Sequence, residues 1–366
     1  MALTAHDIAR WRLRSQHLVR PHAGTAVDVV GGLLAVQAEN PGQSAWAVAT
    51  RTVSPSRPEV GAALAEGSVI RTHVLRPTWH YARAEDIGWL LDLTGPRVRR
   101  TTGAQLRGPL GFDDRGLERA TSAVVAVLEE ASDRTRSQLG NAVRERGVEI
   151  DGQALMILLA HLELDRVICS GRPRGVEHTY ALFSERLPLP RRLDRDDALV
   201  ELAWRYFTGH GPATERDLAY WATLTLTDAR RGIAIAGDRL ASFEHEGRTF
   251  WHAPDEPPQQ RGEPSAHILQ ILDEMYRGYQ DSRWVLDEAG IVPRAREAAI
   301  GMALVDAQLV AAVKRTVTAA RVVFELSPHR PLRPRERTEL RRAADRYGAY
   351  LGLAADLEVA KRPFTR

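Results

Sequence analysis

Cysteine is nearly absent from this 366-residue chain, with Cys169 standing alone. That excludes internal disulfides, thiolate zinc sites and iron–sulfur clusters, and points to a reducing, cytoplasmic setting. Lysine is almost as scarce: Lys314 and Lys361 are the only two among 50 basic residues. No run of about twenty apolar residues occurs, so no membrane span is expected. The opening Met1-Ala2-Leu3-Thr4-Ala5-His6-Asp7 lacks the basic and apolar segments of a secretory signal. The H-E-x-x-H zinc signature and Gly-rich phosphate loops of Walker or Rossmann form are also missing, and neither a metal nor a cofactor is expected.

What remains is an ordinary globular composition, 44% hydrophobic and 27% charged, long enough for two or three domains. The net charge is +3 and the pI about 9.2, carried almost wholly by arginine. Arginine suits bidentate phosphate contact and stacking on bases; a GC-rich genome writes the same bias without any such purpose.

Helix starts recur along the chain. Thr4, Thr135, Thr214 and Thr225 each stand three residues before Asp7, Gln138, Asp217 and Asp228, where a hydroxyl can accept an orphan N–H and the later side chain can reach back. The patterning divides the chain into four modules. Residues 1–110 read as three helices and a hairpin, Val69–Leu75 and Thr78–Tyr81 turning at Arg76-Pro77, followed by helix Ala84–Leu93. Residues 111–192 read as helices 117–130, 135–146 and 153–165, then strands 167–169 and 179–182 around the turn Gly171-Arg172-Pro173-Arg174-Gly175. Residues 193–262 repeat that plan with helices 196–207, 215–221 and 228–235 and strands 240–245 and 248–252. Helix, short helix, helix and two-stranded hairpin is the winged-helix order, with Arg172 and Arg174 at a wing tip. The Pro-rich stretch 253–264 reads as a linker. Residues 263–366 read as a small sheet, with runs at 298–305, 309–317 and 320–326, covered by helix 335–351. The expected fold is therefore α+β.

Four strings carry a family resemblance: Leu33-Leu34-Ala35-Val36-Gln37-Ala38-Glu39-Asn40-Pro41, Arg71-Thr72-His73-Val74-Leu75-Arg76-Pro77-Thr78-Trp79-His80, Tyr206-Phe207-Thr208-Gly209-His210-Gly211-Pro212-Ala213-Thr214, and Leu272-Asp273-Glu274-Met275-Tyr276-Arg277-Gly278-Tyr279. In order and spacing the chain resembles the bacterial winged-helix DNA glycosylases of the AlkZ and YcaQ kind. The resemblance implies a C-shaped cradle of three tandem winged helices on duplex DNA. It also implies excision of N7-alkylated purines, including bulky adducts and interstrand crosslinks, by a monomeric enzyme in repair or self-resistance. The family's catalytic motif is Gln-aliphatic-Gln, or Gln-hydrophobic-Asp in another branch. Here it reads Gln37-Ala38-Glu39, which keeps the first glutamine and departs at the third position.

N7-alkylation makes the purine a good leaving group, so the reaction needs a water aimed at the anomeric carbon and negative charge near the developing oxocarbenium ion. Glu39 can supply both, and the Gln37 amide can orient the water. The i, i+2 spacing puts both on one face if the segment is extended or at a helix end, and Asn40-Pro41 favours a helix end. A helix-terminal charge and a capping amide would look the same. DNA contacts are expected from Arg71, His73, Arg76, Thr78 and His80 on the first hairpin, Arg134 and Arg136 at a helix start, Arg172 and Arg174 at the wing tip, and Arg216 in the third module. Histidines on a hairpin also serve structure alone, and Trp46 and Trp79 suit either base stacking or the core. Asp273-Glu274 lacks the neighbours of a metal site. A transcription regulator or a damage binder on the same scaffold is the alternative function. Release of N7-methylguanine distinguishes these readings, and genomic neighbourhood would point to the natural lesion.

Glycosylases that also nick the strand form a Schiff base on an amine, and the first 313 residues contain no lysine. Incubation with lesion-bearing duplex and borohydride is expected to trap no covalent complex, and no strand break is expected before alkali. An abundant trapped species would contradict a monofunctional enzyme.

Overall fold

Threonine caps set the helix starts as the spacing predicts. In the computed structural model, which describes residues 3–175, 177–187, 191–255, 265–292 and 301–360, Thr4, Thr135 and Thr214 form complete capping boxes with Asp7, Gln138 and Asp217. Thr225 caps helix Leu226–Ala236 through the Asp228 N–H. Each such cap contributes about 1 kcal/mol.

One plan appears three times. Helix Ala26–Leu33, strand Ala35–Gln37, helices Pro41–Ala49 and Arg57–Glu66, and hairpin Val69–His73/Trp79–Arg83 make the first copy. Helix Asp114–Glu130, strand Arg134–Thr135, helices Arg136–Glu145 and Gly152–Leu164, and strands Ile168–Ser170 and Thr179–Leu182 make the second. In both, the short opening strand pairs with the last strand of the hairpin, giving the sheet order first, third, second. The third copy has helices Arg195–His210, Glu215–Ala222 and Leu226–Ala236 and hairpin Ala241–His245/Arg248–His252. Its opening strand is reduced to one bridge, Ala213 with Trp251. The opening strands escape the sequence pattern because two or three residues show no alternation.

Two sequence expectations change. Helix Ala84–Leu93 runs on to Arg107 through Pro96, because Val98, Thr102 and Leu106 beyond the proline are buried and the helix packs along Gly152–Leu164. Four helices, not three, precede the first hairpin among the described residues. Helix Ala5–Ser15 leaves its neighbours in sequence and buries Ile8 and Leu13 against Phe250, Met275 and Met302.

The C-terminal part is a five-stranded sheet covered by helix Pro334–Leu351. Its order is Ala354–Val359, Arg321–Pro328, Gln308–Val317, Gly301–Val305, Ala266–Leu269, antiparallel except for the first pair. Val322, Phe324 and Leu326 face inward on alternate positions. The two edge strands were not expected from the pattern. Most of the expected linker, and the start of the run at 298, lie outside the described residues. The inner side of this sheet shares one core with the first copy, where Val30, Leu33 and Trp46 meet Phe324, Leu340 and Tyr347. Another core joins Ile70 and Trp89 to Tyr206, Phe207 and Trp221. The second copy has its own, around Leu128, Leu139, Leu158 and Ile168.

The Arg51–Asp273 ion pair crosses these layers. Both side chains are fully buried, with Nη2–Oδ1 at 2.6 Å and Nη1–Oδ2 at 3.0 Å. Arg51 also donates to Ala47 O (2.6 Å) and Gln16 Oε1 (2.9 Å). Asp273 caps helix Glu274–Arg277 through the Met275 N–H. Removing one partner leaves an uncompensated buried charge. Asp273→Ala is expected to lower unfolding free energy by about 3–5 kcal/mol; an unchanged urea midpoint would contradict this.

His80 and His267 are also fully buried, and burial pushes both down to about 3. The unfolded chain therefore takes up protons from about pH 6.5 downward that the folded chain does not bind. Stability contributed by the neutral rings is complete above that value and is lost as pH falls toward 3. The urea midpoint is expected to drop steadily from pH 7 to pH 4.5, by at least about 2 kcal/mol in unfolding free energy. A flat or rising midpoint would refute the assignment.

Candidate active site

Gln37 and Glu39 do not sit at the end of a helix. They lie on extended backbone, in and just after strand Ala35–Gln37, and Pro41 opens the following helix at its first turn. Proline disfavours helical backbone in the residue before it, so the strand runs straight into the helix start. Gln37 aligns with His80 on the neighbouring strand, and the Ala38 N–H donates to Trp79 O at 2.7 Å. Extension places Gln37 and Glu39 on one side.

Both then engage the hairpin turn. The Glu39 carboxylate is exposed and accepts the Trp79 N–H at 3.0 Å. The Gln37 amide oxygen accepts from Arg76 Nη2 at 3.0 Å and from Thr78 Oγ1 at 3.5 Å. Gln37 is only 3% exposed. Its N–H donates to Glu274 Oε1 (2.8 Å), and its carbonyl accepts from Gln270 Nε2 (3.2 Å).

Three residues expected to touch DNA from this hairpin, His80, Arg76 and Arg71, are buried or half-buried and bond to their neighbours, and Arg71 also lines the groove described below. His80 is fully buried. Its Nδ1–H donates to Thr78 O (3.0 Å), and Nε2 accepts from Arg76 Nη2 (3.3 Å). Arg76 also donates to Arg277 O (3.0 Å), and burial lowers the pKa of its guanidinium. Arg71 is 9% exposed and lies 3.9 Å over the Trp79 ring. It donates to Ala38 O (2.9 Å) and to His178 Nδ1 (3.1 Å). The hairpin packs between the first and second repeats, so some of its polar side chains bond within the protein while Arg71 and His73 also line the groove.

Glu39 opens onto a groove of about 1150 Å³. Its walls are the first hairpin, helix Ala84–Arg107 (Thr102, Gln105) and the two helices Arg136–Glu145 and Gly152–Leu164 (Arg136, Ser137, Gln153). Trp79, His178 and Tyr180 form an edge-to-face cluster there. Exposed Met156 adds an apolar surface. His73 lines the same groove, packs 4.5 Å from the Trp79 ring and donates through Nδ1 to the fully buried Glu163. Cys169 is no nucleophile, since burial, helped by Glu163, pushes its thiol up to about 12. Lys314 lies in the C-terminal sheet, paired with Glu325 at 3.2 Å.

The remaining candidates are spread out. Arg136 is exposed at the groove rim, and Arg134 beside it is half-buried. Arg172 and Arg174 are exposed on the turn between strands Ile168–Ser170 and Thr179–Leu182, and Arg216 is exposed on helix Glu215–Ala222; none of the three forms the groove's walls. Trp46 is core, donating to Ile268 O. The pattern also missed two residues. Glu163 falls on the apolar stripe of its helix with Leu155, Leu159 and Leu162, and a carboxylate on such a stripe is the signal. Glu274 stands in the fourth family string but has no role readable from the pattern. It accepts from Trp221 Nε1 (2.9 Å) and His210 Nε2 (3.2 Å) as well as from Gln37. Burial would raise its carboxyl, but the hydrogen bond and charge of His210, with Arg76, outweigh that and hold it at about 2.

An interstrand DNA cross-link repair glycosylase of Streptomyces sahachiroi is 26% identical over 262 residues, 68% of this chain and 69% of that protein. The solved structure of Streptomyces sahachiroi DNA glycosylase AlkZ has the same fold, with a TM-score of 0.76 at 21% identity over 98% of this chain and 100% of the other. The family model described as DNA glycosylase AlkZ-like matches residues 30–350. The chain belongs to the AlkZ-like DNA glycosylase family.

Proposed function

We propose that this protein is a monofunctional glycosylase that hydrolyses the N-glycosidic bond of N7-alkylated purines in duplex DNA, with Glu39 and Gln37 as the reacting pair. The observation that carries the reading is the Glu39 carboxylate, exposed at the end of a strand, fixed by the Trp79 N–H and facing a groove large enough for a nucleotide. The water oxygen bonds to C1′ as the C1′–N9 bond breaks. The bond's electron pair passes to the cationic purine, which leaves neutral, and the water proton passes to Glu39. The carboxylate also stabilises the oxocarbenium charge. Glu39 thus resembles the aspartate branch of the motif with one more methylene.

The relative named for interstrand cross-link repair supports a bulky or crosslinked substrate, and the groove's aromatic cluster suits stacking on an extrahelical base. The threefold recurrence of helix, short strand, two helices and hairpin supports the reading as tandem winged helices cradling DNA. Arg136, Arg172, Arg174 and Arg216 are the exposed guanidinium groups for phosphate contact. We read the protein as a cytoplasmic monomer, since all three repeats lie in one chain.

Single-turnover excision of N7-methylguanine, run beside binding to the same duplex, tests the pair. Glu39→Ala is expected to lose ~10²–10⁴-fold in rate, as for a positioned general base. Glu39→Gln, which recreates the Gln-aliphatic-Gln motif, is expected to lose less, and Gln37→Ala to fall between. Binding is expected to persist in all three. If Glu39→Ala excises as fast as the parent, the catalytic assignment fails; if the parent releases no base, a non-catalytic DNA binder is the better reading.

A further inference from the structure

The hold on Gln37 determines which way its amide faces. A guanidinium N–H can only donate, so the atom 3.0 Å from Arg76 Nη2 is the amide oxygen. The amide nitrogen therefore points away from Arg76. It has no hydrogen-bond partner within the described residues and is not among their fully buried unpartnered polar atoms, although Gln37 as a whole is only 3% exposed. The backbone is held as firmly, by Glu274 at the N–H and Gln270 at the carbonyl.

Arg76 and Glu274 act together in this. Arg76 donates its other terminal nitrogen to Arg277 O (3.0 Å), at the far end of the helix that Glu274 begins. Glu274 supplies the buried negative charge facing that guanidinium. Both Glu274 oxygens are occupied, Oε1 by the Gln37 N–H and Oε2 by Trp221 and His210. All of these partners donate to it, so an amide in its place could not satisfy them all. Helix Glu274–Arg277 thus grips Gln37 at its backbone directly and at its side chain through Arg76.

We propose that Arg76 and Glu274 are positioning residues that hold Gln37 with its amide nitrogen outward. Gln37 then donates a hydrogen bond to the attacking water, and Glu39 alone accepts the proton. One lone pair of the water takes the Gln37 N–H while the other attacks C1′; one proton goes to Glu39 and the other stays on the new sugar hydroxyl. This rests on the reading of Gln37 and Glu39 as the reacting pair.

Gln37→Glu is the direct probe. It keeps an oxygen for Arg76 and replaces the outward donor by an acceptor. Single-turnover excision of N7-methylguanine at saturating protein is expected to slow ~10²-fold, the scale of losing one positioned donor. The half-saturating protein concentration and the melting temperature are expected to stay at parent values. Glu274→Gln is expected to slow the same step at least about tenfold, again without moving half-saturation. In an Arg76→Met background, which releases the amide, Gln37→Glu is expected to cost clearly less than in the parent, a coupling that merely structural roles would not produce. Parent-like excision by Gln37→Glu, an effect confined to half-saturation, or equal effects in both backgrounds would overturn the proposal. A parent that releases no base would remove the underlying reading and this inference with it.

Discussion

Arg51 and Asp273 meet inside the protein although 222 positions separate them in the chain. Neither could be there alone, because each would be a buried charge without a partner. Their meeting joins the end of helix Pro41–Ala49, the first helix through Gln16, and the start of helix Glu274–Arg277. That last helix is only four residues long and would not persist by itself. Held by Asp273, it delivers Glu274 to the Gln37 backbone and the Arg277 carbonyl to Arg76. The strand that carries Gln37 is three residues long, so its place comes from these anchors more than from its own ladder.

Arginine chemistry runs through the same region. Arg76 serves Gln37, His80 and Arg277 from one planar fork, and Arg71 bonds Ala38 and His178 while its guanidinium lies over the Trp79 ring. An ammonium could provide neither the fork nor the stacked plane. The bias that composition presents as a phosphate-binding feature is, at these two positions, an internal scaffold. It also explains a neutral His80: beside Arg76 and without water, a second positive charge would be unfavourable.

Much of this was legible beforehand. Helices such as Asp114–Glu130 and Gly152–Leu164 announce themselves by apolar periodicity and caps, and the hairpin at 69–83 by alternation around Arg76-Pro77. The family motif pointed to Gln37 and Glu39 and to the string around Glu274. Burial of polar groups was not legible. Alternation shows that Arg71 and His73 share a face, but not that helices from the second repeat cover it. Short strands such as Arg134–Thr135 leave no periodic trace, and Ala5–Ser15 reads as a neighbour of the segment that follows because nothing local reports a partner near residue 302. These are long-range facts, settled only when the cores close.

The three repeats differ where the opening strand passes into the next helix. Thr135 and Thr214 close that junction with reciprocal capping boxes. In the first repeat the corresponding residue, Asn40, makes no side-chain cap, and Pro41 follows at once. The leading amides of Pro41–Ala49 are therefore less tied than those of its two counterparts. Two copies of the junction are closed by a side-chain cap, and the one that leads directly from Glu39 is not.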